Sequence, residues 1–428
     1  MSHMLAGPST LKLPRAVYWL VALAFVLRIV ARYFHGSPDD FWVNGYSFFF
    51  EIAQGIAAGK GIGFTDGTPE TFRVPLYSLV LAGLTFGHKA FWPVVIAESA
   101  FGAAITFCSA LLARLLFSGR VADRVAILAA AITSVYPYYV VHDTSLEETS
   151  LFTLLTIVSV IVSMKAASSD SGKLLPIFAG FVLGLDVLTR ASIVPFAALV
   201  PIWLFWRKRL RDGIVCAIFL MLTVLPWMWR NYLLVGEPTL SMEAGQLFWT
   251  GNNGFLFRHY PEESSDISKA EALDSLPAQD QKRLQQLSRD DVATDRWFWH
   301  KALLHVRAHP WQTIMDGFRK NAAGFSWLPT PRRGWPSNLI YAVSYGPVML
   351  LGLWGMWRRR SNWREDSLII LLFATFVLIT AAFWAHTSHR SYLDVYWIVY
   401  GAGGLLDFGI TQRRTAPAYT QTTDELPA

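Results

Sequence analysis

The sequence predicts an all-α polytopic membrane protein with about ten transmembrane helices and a small extracytoplasmic helical segment. Three observations predict it. The chain of 428 residues is 53% hydrophobic and only 16% charged, against about 25% charged in an ordinary soluble domain. Its apolar residues come in runs of about 20, the length a helix needs to cross the hydrocarbon core. Its basic residues sit in short clusters between those runs. That pattern sets membrane orientation, so the net charge of +6 is not read as a nucleic-acid footprint.

The spanning runs are 15–34, 90–117, 124–141, 145–164, 174–190, 191–206, 212–235, 337–357, 367–385 and 391–410. Segment 74–87 is apolar but too short to span; it reads as interfacial, re-entrant or half of a bent helix. With 74–87 not crossing, Lys12, Arg15 and the clusters Arg114/Arg120/Arg124, Lys165/Lys173, Arg207–Arg211, Arg358–Arg364 and Arg413/Arg414 all fall on one side. By the positive-inside rule that side is cytoplasmic, and both termini lie there. The expected modules are 1–235 with a first outer loop at 35–73, an extracytoplasmic segment 236–336, a second membrane module 337–412 and a polar tail 413–428. The middle of 236–336 is charged and reads as solvated helix; its aromatic flanks read as lying on the membrane surface. No cleavable leader is expected, because the first run is long enough to stay as an anchor. The two cysteines lie inside apolar runs and read as small buried hydrophobes.

Several charges defy this layout. Arg28 and Arg32 share a face near the outer end of the first helix; Arg190 ends its helix and Arg230 sits near the outer end of the seventh span on the same side, Arg390 lies in the last outer loop just ahead of the final run, and Arg73 opens the 74–87 run. Singly, each reads as snorkelling or a structural ion pair. Together, guanidinium forks from separate segments suit phosphate oxygens on a lipid headgroup. Carboxylates gather on the same side: Asp39 and Asp40 after Pro38, Asp66, and Glu147/Glu148 at the fourth span. One of them could take a proton from an acceptor hydroxyl; the plainer readings are a helix cap for the aspartates and a dipole partner for the glutamates. His305/His309 read as a surface helix. Their spacing of four could hold a metal, but no third ligand is near in sequence; His386/His389, three apart, could likewise bind a divalent metal or a phosphate. No metal or other cofactor is assigned. Gly59–Gly63 reads as a turn, because no strand and helix flank it as a nucleotide loop would need.

Four stretches together resemble a known family, the GT-C membrane glycosyltransferases, specifically the protein O-mannosyltransferase and aminoarabinose-transferase-like group. They are PDDFWVNGYSFFFEIAQGIAAGKGIGF, RVPLYSLVLA, PWMWRNYLLVGEPTLSMEAGQLFWTGNN and HRSYLDVYWIVYGAGGL, with LTRASIVP around Arg190 a weaker fifth. The resemblance implies a polyprenyl-phosphate sugar donor, with Asp39 or Asp40 as base and Glu148 as a rougher acidic match. It implies Arg73, Arg230 and Arg390 on the donor phosphate, with Arg190 and Arg28 as further candidates. Tyr77, Asn231, His389 and Tyr392 lie inside the matching motifs. Strict alignment puts the family's acidic position at Asn44 or Gly45, so Asp39 and Asp40 match through an insertion of a few residues. The expected reaction is inverting transfer to an envelope lipid, glycan or protein acceptor, at the periplasmic face of a bacterial inner membrane. Two other readings use the same arginines: a transporter or flippase of an anionic lipid-linked substrate, and a polysaccharide ligase or polymerase with a pyrophosphate-linked donor.

Overall fold

In a computed structural model, residues 12–34, 37–43, 46–168, 172–287, 290–384 and 386–415 are described, side chains to residue 406. Asn44, Gly45 and the tail from residue 416 lie outside them. No strand occurs among the described residues, only an isolated bridge between Gly63 and Pro69. The helices in chain order are α1 (Arg15–Phe34), α2 (Pro38–Val43), α3 (Ser47–Ala57), α4 (Leu76–Thr85), α5 (Phe91–Leu116), α6 (Gly119–Val135), α7 (Pro137–His142), α8 (Thr149–Ala166), α9 (Leu174–Thr189) and α10 (Val194–Trp206). They continue with α11 (Leu210–Val235), α12 (Ala244–Gly251), α13 (Ser265–Asp274), α14 (Ala278–Leu287), α15 (Asp291–Ala308), α16 (Pro310–Gly324), α17 (Trp335–Arg358), α18 (Trp363–Ala382) and α19 (Ser391–Thr415).

Every predicted span is helical. Among the described residues six helices are both long and apolar enough to cross a membrane by themselves: α1, α5, α8, α11, α17 and the stretch Arg360–Ala382 that contains α18. The predicted run 124–141 is not continuous. Its helix begins earlier, at Gly119, and breaks at Tyr136, whose backbone is extended ahead of Pro137. Proline disfavours a helical residue before it and is well suited to the first helical position, so α7 restarts there as a separate short helix. The unbroken run 174–206 does divide at Arg190, which is extended (φ −152°, ψ 113°) between α9 and α10.

The last helix, α19, forms the centre. Residues 391–404 are all buried, against α17, α6, α5 and α8. Glycine permits the closest approach: a Cβ on Gly355 of α17 would lie 1.9 Å from the Tyr400 carbonyl oxygen. Small residues that bring backbones together are the usual means of helix association in lipid, where apolar burial alone gives little drive. At one end of the bundle, Arg114 pairs with Asp123, Arg359 with Asp366 (2.9 Å) and Arg209 with Asp212 (2.7 Å). This basic face carries the clusters that predicted the cytoplasmic side.

The opposite, loop face carries 37–73, the α7–α8 corner and 236–336. The first loop is clasped to the later segment: the Met242 amide donates to the Thr71 carbonyl (2.9 Å), and the Thr71 hydroxyl to Asp291 (2.8 Å). Within it, Gly59 and Gly61 hold left-handed φ of 72° and 79°, the turn expected of that glycine run. The aromatic flank before the charged middle packs on the later helix α15. Phe248 stacks on Trp299 (4.5 Å between centroids), and Trp249 with Phe298 centres a small core of its own. Helix α14 buries no residue, as its charged sequence predicts.

Arg28 of α1 is fully buried and pairs with Asp143 (Nε–Oδ2 2.6 Å), also donating to the carbonyls of Ala24 (3.0 Å) and Ser134 (3.2 Å). A Cβ on Gly102 would sit 2.1 Å from Arg28 Nε, so glycine admits the pair. Breaking a buried pair from one side costs about 3–5 kcal/mol, whereas replacing both partners with apolar groups is near neutral. Asp143→Ala is therefore expected to lower the melting temperature in detergent sharply, and Arg28→Met/Asp143→Leu to restore most of it. Equal melting curves for wild type and Asp143→Ala would contradict this account.

Candidate active site at the loop face

The α7–α8 corner, which in sequence looks like a mere connection, is where the separate charges meet. His142 Nδ1 contacts Glu147 Oε1 directly. Burial disfavours charge on His142, but Glu147 outweighs it and raises the imidazole pKa. Glu148, at the N-cap of α8, accepts from Arg190 Nε (3.1 Å) and Nη2 (2.8 Å); Arg190 also reaches the Thr149 hydroxyl (3.3 Å). Its guanidinium carbon lies 4.6 Å from the centre of the Phe152 ring. This pair joins the end of α9 to the start of α8. Arg190 Nη1 and Glu148 Oε2 are buried with no hydrogen-bond partner among the described residues.

Tyr46 leans over this pair. Its amide donates to the Leu146 carbonyl (3.4 Å). Surrounding protein and the charges of Glu148 and Glu147 push its phenol up to about 12, against the opposing pull of Arg190 and Arg73. Arg73 enters from the other side, between the Phe48 ring (5.4 Å) and Glu243 (3.0 Å), with 42% of its side chain still exposed. Glu70 fixes the backbone here by accepting from the amides of Phe72 (2.5 Å) and Arg73 (2.6 Å). Burial raises the pKa of both Glu70 and Glu243. His389 completes the group, and its neighbour His386 shares a 3.1 Å contact with Ser265 of α13. Burial, then the charges of His386, Arg190 and Arg73, hold His389 well below the usual imidazole range.

Of the predicted residues, the fold gathers Arg73, Arg190, Glu148 and His389 around Tyr46, with Tyr392 packed on Phe152 beneath Arg190 (4.9 Å). Others are engaged elsewhere. Arg390 is buried against Asp394, the Tyr341 hydroxyl and the face of Tyr345. Arg230 gives both Nη groups to the fold: it donates to the carbonyls of Glu70 and Ile62 and to Asn231 Oδ1 (2.8 Å). Asn231 in turn donates to the Thr239 carbonyl (2.9 Å). Tyr77 donates to Glu98 of α5. Asp39 and Asp40 are exposed in the first turn of α2. Asp40 exchanges hydrogen bonds with Ser37, accepting from its amide (3.1 Å) while the Ser37 hydroxyl accepts from the Asp40 amide (3.2 Å). This reciprocal helix cap lowers its pKa. Asp66 accepts from the Thr68 amide (2.8 Å) in a turn.

Tyr46, His142, Glu70 and Glu243 were not singled out from sequence. Tyr46 and Glu243 lay in quoted motifs without standing out there; His142 and Glu70 are ordinary polar residues until the chain folds. Among the described residues no group of three or more His, Cys, Asp or Glu side chains converges as a metal site. A recess of about 570 Å³ opens on this face beside Glu237, Asp290, Arg296 and His300, distinct from the Tyr46 cluster.

The helical architecture has a GT-C-like counterpart among solved structures. It is shared with the archaeal oligosaccharyltransferase AglB from Archaeoglobus fulgidus, solved with an inhibitory peptide and a dolichol-phosphate, at 14% identity and a TM-score of 0.52 over 94% of this chain. The chain spans about half of that protein, 52% of its length. ArnT from Cupriavidus metallidurans, solved bound to undecaprenyl phosphate, aligns over 94% of this chain and 81% of its own, at 14% identity and a TM-score of 0.40. In sequence, residues 73–229 match the family model described as dolichyl-phosphate-mannose-protein mannosyltransferase. That stretch runs from Arg73 through the α7–α8 corner to the end of α11. No curated protein matches the chain in sequence.

His389 yields a pH signature. Its folded pKa lies below the ordinary 6.5, so between the two values the unfolded chain binds a proton that the folded one does not. Stability is full above pH 6.5 and falls as pH drops toward the folded pKa. His389→Gln is expected to flatten that acid-side loss, measured as melting temperature from pH 7.5 to 5. A mutant profile parallel to wild type would rule this out.

Proposed function

We propose that this protein transfers a sugar from a polyprenyl-phosphate donor to an acceptor at the loop face, with inversion at the anomeric carbon. The observation that carries the reading is the pair Arg73 and Arg190, whose charges both bear on Tyr46. One guanidinium is part-exposed, and the other keeps a buried Nη1 without a partner. Guanidinium donors of this kind match the oxygens of a phosphate monoester. The dolichol-phosphate and undecaprenyl phosphate in the two solved structures are lipids of that chemistry.

In the proposed reaction the acceptor oxygen attacks the anomeric carbon while the bond from that carbon to the phosphate oxygen breaks. The departing phosphate keeps the electron pair, and Arg73 and Arg190 stabilise its growing charge. Asp39 or Asp40, ahead of Tyr46 on the same loop, receives the acceptor proton. Glu148 orients Arg190, and neutral His389 is suited to donate to or accept from a phosphate oxygen. Arg230 and Arg390 are proposed to act through the loop and helix they hold. Segment 236–336, the largest exposed part of this face, is the proposed acceptor selector. The positive-inside pattern favours the extracytoplasmic side, and an envelope of bacterial type supplies such donors. The alternative reading is a polysaccharide ligase or polymerase with a pyrophosphate-linked donor.

Loss of one charge-stabilising donor typically lowers rate about 10²–10³-fold. Arg73→Gln is expected to lose transfer on that scale with a folded protein. Of Asp39→Asn and Asp40→Asn, one is expected to lose it comparably. Activity is read in proteoliposomes with a panel of polyprenyl-phosphate sugars, and mass spectrometry of the spent lipid separates a monophosphate product from a pyrophosphate. Full transfer by both aspartate variants would remove the base assignment. Full transfer by Arg73→Gln would remove the phosphate site.

A further inference from the structure

We propose a second anionic site, on the basic face: a pocket for the headgroup of an acidic phospholipid, built where α10 ends and α18 begins. A recess of about 360 Å³ there is lined by Arg207, Lys208, Arg364, Trp206 and Ala167. Its described lining contains three cations and no carboxylate.

Basic residues are common on this face for topological reasons, so their presence alone decides nothing. What sets these three apart is that they line one recess with no carboxylate in its described lining. Arg114, Arg209 and Arg359 are each paired with an aspartate. The carboxylates nearest in sequence are engaged too: Asp212 by Arg209, and Glu365 and Asp366 by Arg359. Arg207, Lys208 and Arg364 have no carboxylate partner among the described residues.

The pocket is also built rather than loose. The Trp203 indole donates to the Ser367 hydroxyl (2.8 Å), and Arg207 Nη1 donates to the Arg364 carbonyl (3.1 Å). Each bond fixes the end of α10 to the start of α18. Arg207 lies over the Trp203 ring (5.8 Å) and Arg364 over the Trp363 ring (5.5 Å). Lys208 occupies a position that favours glycine. Its φ is +61°, its amide donates to the Phe205 carbonyl (2.8 Å), and the next amide donates to that of Leu204 (2.9 Å). This is the usual glycine-ended helix stop, with a lysine in the strained place. The conformation turns the chain back toward α11 and leaves an ammonium at the mouth of the recess.

The setting selects a lipid over a free anion. Trp206 and Trp363 are half exposed, their ring centres 6.0 Å apart. Indoles at helix ends favour the headgroup level of a bilayer. The anion at that level on this face is the phosphate of a lipid. Each Lys or Arg adds about 1 kcal/mol of attraction to an anionic membrane surface, so three together amount to roughly a hundredfold at low salt.

The test is native mass spectrometry of the full-length chain in neutral detergent, titrated with phosphatidylglycerol or phosphatidylcholine. Wild type is expected to hold its first phosphatidylglycerol at least about tenfold tighter than phosphatidylcholine. Arg207→Gln/Lys208→Gln/Arg364→Gln is expected to lose that preference. A control, Arg120→Gln/Arg124→Gln/Lys173→Gln, removes as many charges from the same face and is expected to keep it. Lys208→Gln alone, which removes no side-chain hydrogen bond of the described fold, is expected to weaken it in part and guards against misfolding of the triple variant. The proposal falls if the site variants retain the preference, if the control loses as much, or if millimolar inorganic phosphate displaces the lipid.

Discussion

The cost of placing charge in a medium that cannot solvate it governs this molecule. An arginine at bilayer depth is tolerated only beside a partner or a wet cavity. Both solutions occur here. Arg28 and Arg390 are fully buried, and each has an aspartate within hydrogen-bond reach, Asp143 and Asp394. Both aspartates belong to elements at the centre: Asp143 to the α7–α8 corner, Asp394 to the first turn of α19. Arg28 ties α1 to that corner, and two tyrosine hydroxyls tie the corner to the central helix: Tyr136 donates to Asp394 (3.0 Å) and Tyr139 to the Ser391 carbonyl (3.0 Å). Tyr138, on α7, lies between His142 and the second pair, its ring 4.2 Å from His142 and within 5.9 Å of the Arg390 guanidinium. The platform for Glu148 and Arg190 is thus held by charges that do no chemistry themselves.

A second constraint fixes the other wall. Arg230 uses its Nη groups on two carbonyls of the first loop, those of Ile62 and Glu70. A loop without strands or a core of its own would otherwise leave those carbonyls without a protein donor. Glu70, the residue whose carbonyl Arg230 holds, caps the Phe72 and Arg73 amides with its side chain. Arg73 is therefore positioned by a relay that starts in the spanning helix α11. A mutation at Arg230 would act on the phosphate site through the backbone, so its kinetic effect would resemble that of a direct ligand.

The sequence showed the helices because apolar runs of membrane length are a strong local signal. It also showed which charges were anomalous, since Arg28, Arg32 and Arg190 break the positive-inside pattern. It could not show which of them were already satisfied. Arg390 and Arg73 look equivalent in sequence, each opening an apolar run on the same side. Only the fold reveals that Arg390 is sealed behind three tyrosines while Arg73 stays part-exposed. That distinction depends on residues 49 or more positions away, such as Tyr341 and Glu243. The break at Tyr136–Pro137 was available locally, and the aromatic continuity of VYPYYVV masked it. Asp40 was legible as a helix cap from Ser37 three residues before it, and the fold contains that cap.

Paired and unpaired charge then divide the two faces in the same way. On the loop face, Arg28, Arg190 and Arg390 each meet a carboxylate, Arg73 stays part-exposed, and Arg190 keeps a buried nitrogen without a partner, as Arg28, Arg32, Arg332 and Arg390 also do. On the basic face Arg114, Arg209 and Arg359 are paired, and three cations without a carboxylate partner among the described residues line one recess where α10 meets α18. In both places the excess lies at the level of a lipid headgroup, beside aromatic rings that exclude water from one side. In the proposed reading, a local excess of this kind would hold a lipid phosphate where total charge alone would not, since a chain with the same net charge spread evenly would attract lipid phosphate everywhere and orient it nowhere.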